Sequence, residues 1–270
     1  MKEQNCSIGA KDDFAILILS CDKYSDLWDL FFGAFWKNFP DCDVPVYLGC
    51  NFANYHDSRV TVINANVKTN WSGEVKSILQ QVKEKYLFIW LEDLLITSPI
   101  SREKLLNYVQ FMKERDAKHI KLGPYPEPDS VVNDGIGVYE KGVPYRASAM
   151  GLWDRDYLLN FLLLDGENPW QFEVMGSYRT SYSDGFFGLR QNLFERLNLL
   201  VKGKWSPRAI QYFKKNNVEV DISKHPPMSL FDIGLYLAGM ILLYPLRSHR
   251  WWRIRVKIMN TLRYVIFDTY

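Results

Sequence analysis

Residues 86–93 read Tyr86-Leu87-Phe88-Ile89-Trp90-Leu91-Glu92-Asp93. Six apolar residues run in succession and then meet two adjacent carboxylates. A strand with one wet face alternates apolar and polar residues. A run that is apolar on both faces therefore predicts a central strand of a parallel sheet, buried between layers of helices. Phe14-Ala15-Ile16-Leu17-Ile18-Leu19 is a second run of this kind and ends in Ser20-Cys21-Asp22.

Working outward, Val44–Leu48 and Arg59–Ile63 read as two further strands. Ser25–Lys37 reads as a helix between the first two strands. Ser72 is the expected helix cap before the residue 86 strand, with Glu74 in the first turn. Val75, Ile78, Leu79 and Val82 then recur at i, i+3, i+4 and i+7, one face of a helix. Ser101 to about Arg115 gives another. This strand–helix alternation predicts an α/β fold with a mostly parallel central sheet flanked by helices. Beyond it, residues 123–144 are rich in Gly, Pro and Asp and read as loop. Ala147–Trp153 reads as a strand, Asp154 as the cap of a helix through Leu162, and Gly166-Glu167-Asn168-Pro169 as a break.

Composition narrows the function. The chain has 270 residues, 47% hydrophobic and 24% charged, which is a globular balance with room for one large domain. Its net charge of +2 gives no reason to expect a nucleic-acid partner. Its 15% aromatic content suits both core packing and sugar binding, because a pyranose presents a C–H face to a ring. There is no GxGxxG after the first strand, no GxxxxGK[ST], no HExxH and no GxSxG. Cys6, Cys21, Cys42 and Cys50 form no CxxC pair and are expected to be reduced thiols. The polar opening residues contain no apolar signal-peptide core, so the expected location is cytoplasmic, peripheral on the inner face of the membrane.

In a parallel α/β sheet, ligands meet the carboxyl ends of the strands. Asp22 and the Glu92-Asp93 pair fall there. Adjacent carboxylates repel unless neutralised, and a divalent metal holding a diphosphate would neutralise them.

The segment from Trp71-Ser72 to Glu92-Asp93 resembles the donor-site half of GT-A-type bacterial glycosyltransferases, in which a helix leads into a strand ending in two acids. Ser20-Cys21-Asp22 through Trp28 is similar to the opening of such enzymes of capsule and O-antigen loci. Gly151–Leu158, Pro169–Glu173 and Gly176–Arg179 resemble their later half. The resemblance covers roughly residues 14–185 and implies a GT-A-like domain over 1–230. It implies a nucleotide-sugar donor, with Ser20, Asp22, Trp71, Glu92 and Asp93 on the donor side. Asp93 and His225 would hold a divalent metal (Mn or Mg), although Leu91 stands where a strict DxD has its first Asp. Glu173 is the expected base for the acceptor hydroxyl, with Asp184 as its rival. Trp153, Trp170 and Arg179 are expected on the acceptor side, the tryptophans as sugar platforms. Arg179 is expected to pair with phosphate or with Glu173. The alternative function is a catalytically degenerate glycan-binding or scaffold protein of a polysaccharide assembly complex.

Residues 231–270 form an expected amphipathic, basic tail. The apolar run Leu235–Tyr244 is too short to span a bilayer. From Ile233 no acid appears until Asp268, whereas Arg247, Arg250, Arg253, Arg255, Lys257 and Arg263 do. Trp251 and Trp252 lie among them, the pattern of a segment lying on an anionic membrane surface, with packing on the domain or on a second subunit as the alternative. The expected acceptor is then lipid-linked or part of a surface glycan.

Overall fold

A computed structural model describes residues 13–125, 127–141, 146–162 and 166–243, with side chains to 238. Strands β1 (Phe14–Leu19), β2 (Val46–Cys50), β3 (Thr61–Asn64) and β4 (Tyr86–Leu91) alternate with helices α1 (Trp28–Asn38) and α2 (Trp71–Leu79). Then come β5 (Leu94–Ile96), α3 (Arg102–Arg115), β6 (His119–Lys121), β7 (Ser130–Val131) and β8 (Ile136–Val138). The later part contains β9 (Gly151–Asp154), α4 (Arg155–Phe161), α5 (Pro169–Arg179) and β10 (Phe186–Leu189). It continues through β11 (Arg196–Asn198), β12 (Leu200–Val201), β13 (Lys204–Trp205), α6 (Pro207–Asn216) and α7 (Leu230–Leu243).

Nine strands form one sheet in the order β3-β2-β1-β4-β9-β6-β10-β8-β7. The first four are mutually parallel, β9 is antiparallel to both its neighbours, and β6 and β10 are parallel to each other. β8 runs antiparallel to β10 and to β7. Seven of the nine strands therefore point the same way, and the expected mostly parallel sheet is present. The two runs that decide the fold lie side by side, with Phe14 opposite Tyr86 and Leu19 opposite Leu91.

Alternation sorts the β1 side chains into two cores. Phe14, Ile16 and Ile18 pack with Phe31, Phe32 and Phe35 of α1 and Leu105 and Val109 of α3. Ala15, Leu17 and Leu19 pack with Val75, Ile78 and Leu79 of α2 and Phe161 and Phe172 of α4 and α5. Every β1 side chain is at most 3% exposed, and burial of each of its large residues contributes about 1.5–3 kcal/mol. A third cluster fastens β12, β13 and α6 to α1 and β5 through Leu27, Leu95, Leu199, Trp205 and Phe213.

Several local expectations shift. The cap of α2 is Asn70, whose side chain accepts from Gly73 N at 3.1 Å, while Ser72 Oγ turns back to Asn70 at 2.7 Å. The strand expected at Ala147–Trp153 begins at Gly151, which has φ +140. A Cβ there would fall 2.4 Å from the His119 ring, so the close approach to β6 requires glycine. The 123–144 segment is not all loop, because β7 and β8 extend the sheet from within it. Among the described residues no helix is long and apolar enough to cross a membrane. The basic stretch from Arg247 onward lies outside the described residues.

Candidate active site

The direction of β1, β2, β4, β6 and β10 defines one edge of the sheet as the carboxyl edge. Glu92 and Asp93 turn the chain there between β4 and β5. Trp90 Nε1 donates to Leu94 O at 2.7 Å, and Leu199 N donates to Asp93 O at 2.8 Å, so the turn is fixed on both sides. Glu92 is 5% exposed. Burial, then the charge of Asp93, push its carboxyl up to about 8, opposed in part by a hydrogen bond with Ser20. Burial raises Asp93 to about 6. Among the described residues neither carboxylate has a cationic partner, so only hydrogen bonds oppose the cost of their desolvation.

Two donor-side expectations prove to be fixed within the protein. Ser20 Oγ accepts from Trp28 Nε1 at 2.7 Å beneath Glu92. Asp22 accepts the backbone N–H groups of Asn51, Phe52 and Ala53 at 3.1 Å and ties the end of β1 to the loop after β2. Tyr24 follows within the 3-10 segment Asp22–Leu27. Its hydroxyl is raised by burial and by the neighbouring charges of Cys21, Asp93, Glu92 and Asp26. The described cysteines Cys21, Cys42 and Cys50 are unpaired thiols.

Glu173 sits on the first turns of α5. Its Oε1 accepts from Ser148 Oγ at 3.0 Å and from Ala149 N at 3.2 Å. Gly151 pairs with Ile89, so the segment just before β9 stands level with the end of β4, and Glu173 faces the same edge as Glu92 and Asp93. At the end of β6, burial pulls the Lys121 ammonium down to about 8, with Glu173 raising it and Arg196 lowering it. Lys121 is thus a positive neighbour of Glu173, and Arg196 a positive neighbour of Lys121, that no sequence spacing marked. Trp170, one turn from Glu173 on α5, is 68% exposed. Trp71, half-buried at the start of α2, packs on Phe172 with centroids 5.2 Å apart, and Ser72 N donates to Glu167 O at 3.2 Å. These contacts hold the starts of α2 and α5 together.

Four sequence expectations require correction. Trp153 is wholly buried, stacked on His119 at 4.0 Å with Nε1 donating to Ser148 O, and offers no face to a sugar. Asp184 precedes β10 and so lies at the amino edge of the sheet, where it is solvent-exposed and 3.2 Å from Lys141. Arg179 pairs with Glu167, Nη2 to Oε2 at 2.9 Å, rather than with Glu173 or an open anion site. His225 does not join Asp93 in a metal site. Its Nδ1 lies 3.1 Å from Gly203 O and its Nε2 3.2 Å from Asp26 Oδ2, while its ring packs between Tyr24 and Trp205.

Among the described residues no three His, Cys, Asp or Glu side chains gather to hold a metal. Glu92 and Asp93 still fit a divalent ion of the kind bound by one or two carboxylates and completed by substrate phosphates and water. A shallow hollow between α3 and the 133–136 turn shares none of these residues.

No family model and no curated protein sequence matches the chain. Solved structures do. Staphylococcus aureus TarS residues 1–349, in complex with UDP-GlcNAc, is 11% identical with a TM-score of 0.43, over 65% of this chain and 58% of that one. The S. aureus TarS structure is 10% identical with a TM-score of 0.40, over 65% and 36%. The apo-form glycosyltransferase GlyE of Streptococcus pneumoniae TIGR4 is 10% identical with a TM-score of 0.36, over 81% and 55%. The chain thus spans less than two thirds of each of these structures. Identities and scores this low define no family.

Proposed function

We propose that the chain is a GT-A-like glycosyltransferase that moves a sugar from a nucleotide-sugar donor to a hydroxyl of a surface-glycan acceptor of the capsule or O-antigen type. The observation that carries this reading is the buried Glu92-Asp93 step at the carboxyl end of β4, which lacks a cationic partner among the described residues. A site that holds two desolvated carboxylates at a sheet edge is built to receive positive charge, and a diphosphate donor brings it as a shared counter-ion.

The residues divide the work. A Mg or Mn ion on Asp93 and Glu92 would supply charge neutralisation for the donor diphosphate. Glu173, with Oε1 fixed by Ser148 and Ala149, presents Oε2 as base to the acceptor hydroxyl. The acceptor oxygen bonds to the anomeric carbon as the bond from that carbon to the diphosphate oxygen breaks, and the proton passes to Glu173. Lys121 and Arg196 set a positive flank for the departing phosphate charge. Trp170 offers its exposed face to an acceptor sugar.

Purified protein with a panel of nucleotide sugars is expected to release nucleotide or transfer sugar. Asp93→Asn and Glu173→Gln are each expected to lower turnover by about 10²–10⁴-fold with melting temperature preserved. Full turnover in both variants removes the assignment. Leu91, in place of a first metal-binding acid, favours one second reading, a degenerate glycan-binding scaffold. That protein would bind glycan through Trp170 yet show no metal-linked binding of any nucleotide sugar.

A further inference from the structure

Helix α7 carries apolar residues that nothing in the described fold covers. Leu230 is 88% exposed, Phe231 75%, Leu235 59% and Leu237 51%. Tyr236 and Ala238 are exposed as well, so the bare surface is not one stripe but most of the helix circumference. A helix that is apolar all round is stable only where a nonpolar medium surrounds it. Its base, in contrast, is firmly built. Asp232 accepts from Ser229 Oγ at 2.7 Å and pairs with Lys204 Nζ at 2.8 Å.

The chain after α7 indicates which medium. Between Ile233 and Asp268 it has no acid, while it holds six Arg or Lys residues from Arg247 to Arg263, with Trp251 and Trp252 among them. Such a cationic stretch repels a second copy of itself and complements an anionic surface. In the sequence the apolar stretch from Ile233 to Leu246, bounded by Asp232 and Arg247, would span only about 21 Å as a helix, less than the ~30 Å of a hydrocarbon core, so immersion in one leaflet suits it and crossing does not.

We infer that α7 inserts into the interfacial layer of an anionic lipid bilayer and holds the carboxyl edge of the sheet near the membrane. A short relay of backbone bonds joins the two places. Leu199 N donates to Asp93 O at 2.8 Å, Ser206 N to Leu199 O at 2.8 Å, and Met228 N to Trp205 O at 3.1 Å, one residue before Ser229. The helix therefore springs from the same small module that braces Asp93. An acceptor within reach of that edge is a lipid-linked one, its hydroxyls held at the headgroup level of the cytoplasmic leaflet. This acceptor class rests on the glycosyl-transfer reading above; the bilayer surface does not.

The test uses the full chain and vesicles of phosphatidylcholine with and without phosphatidylglycerol. Wild type is expected to sediment with the anionic vesicles. A Leu235→Glu, Leu237→Glu double variant is expected to partition about a hundredfold more weakly, because two leucines no longer leave water. Its melting temperature and its thermal shift with nucleotide sugar should match wild type, since neither residue touches the core or the carboxylate edge. Equal sedimentation of variant and wild type overturns the inference. So does a wild type that ignores both vesicle types, whether it stays monomeric or self-associates through α7. Vesicle binding without any nucleotide-sugar shift would instead retain the surface and remove the glycosyl-transfer reading.

Discussion

At the scale of the residue, Glu92 is the most informative side chain. Its carboxyl sits near 8 against 4.5 for the free group, because burial and Asp93 both oppose its charge. A raised acid holds its proton more tightly in the folded state than in the unfolded chain. The contribution of Glu92 to stability is therefore most favourable below pH 4.5, is lost as pH rises from 4.5 to about 8, and levels off above. Glu92→Gln is expected to flatten that slope and to be more stable than wild type at pH 8 by about 1–3 kcal/mol, read from urea unfolding at several pH values. Equal pH dependence of wild type and Glu92→Gln through this window would contradict a Glu92 carboxyl raised by burial. The acidic pair was legible in the sequence because it ends an apolar run. Other residues were not. Trp153 and Trp170 look alike as letters, yet strand pairing buries one and a helix surface exposes the other. Lys121 gave no signal, since its nearness to Glu173 comes from β6 and α5 meeting across the sheet.

At the scale of the element, α5 links stability to the site. Asn168 and Gln171 form a reciprocal capping box at its start, with Pro169 in the first turn. Its Glu173 is held by the strand-leading segment 148–149. Asn168→Ala is expected to cost about 1 kcal/mol of stability. It should also lower turnover several-fold by loosening Glu173, with donor affinity unchanged; an equal loss in donor affinity would mean that α5 belongs to the donor side. Up to Arg115, β1 to β4 and α1 to α3 could be read from apolar runs and periodicity, whereas the three-residue β5 could not. β7, β8 and β10 could not. They are two to four residues long, β8 and β10 contain a glycine, and all three exist only through pairing with other strands. The same blindness to strand direction made Asp184 look like a rival to Glu173. Only the parallel pairing of β10 with β6 assigns it to the opposite edge.

At the scale of the whole molecule, a nearly neutral chain brings its candidate site residues to one rim. The carboxylate step, the Lys121–Arg196 flank, Glu173 and the module that launches α7 all gather at the carboxyl edge of a single nine-stranded sheet. That gathering follows from the parallel arrangement, which delivers successive strand ends to the same side. The most direct measurement is calorimetric titration of the full chain with UDP-, GDP- and CMP-sugars, with and without manganese. One nucleotide sugar is expected to bind in a manganese-linked way, and Asp93→Asn is expected to abolish that binding. Absence of heat with every donor, or unchanged affinity in the variant, would contradict the view that the acidic end of β4 grips an activated sugar.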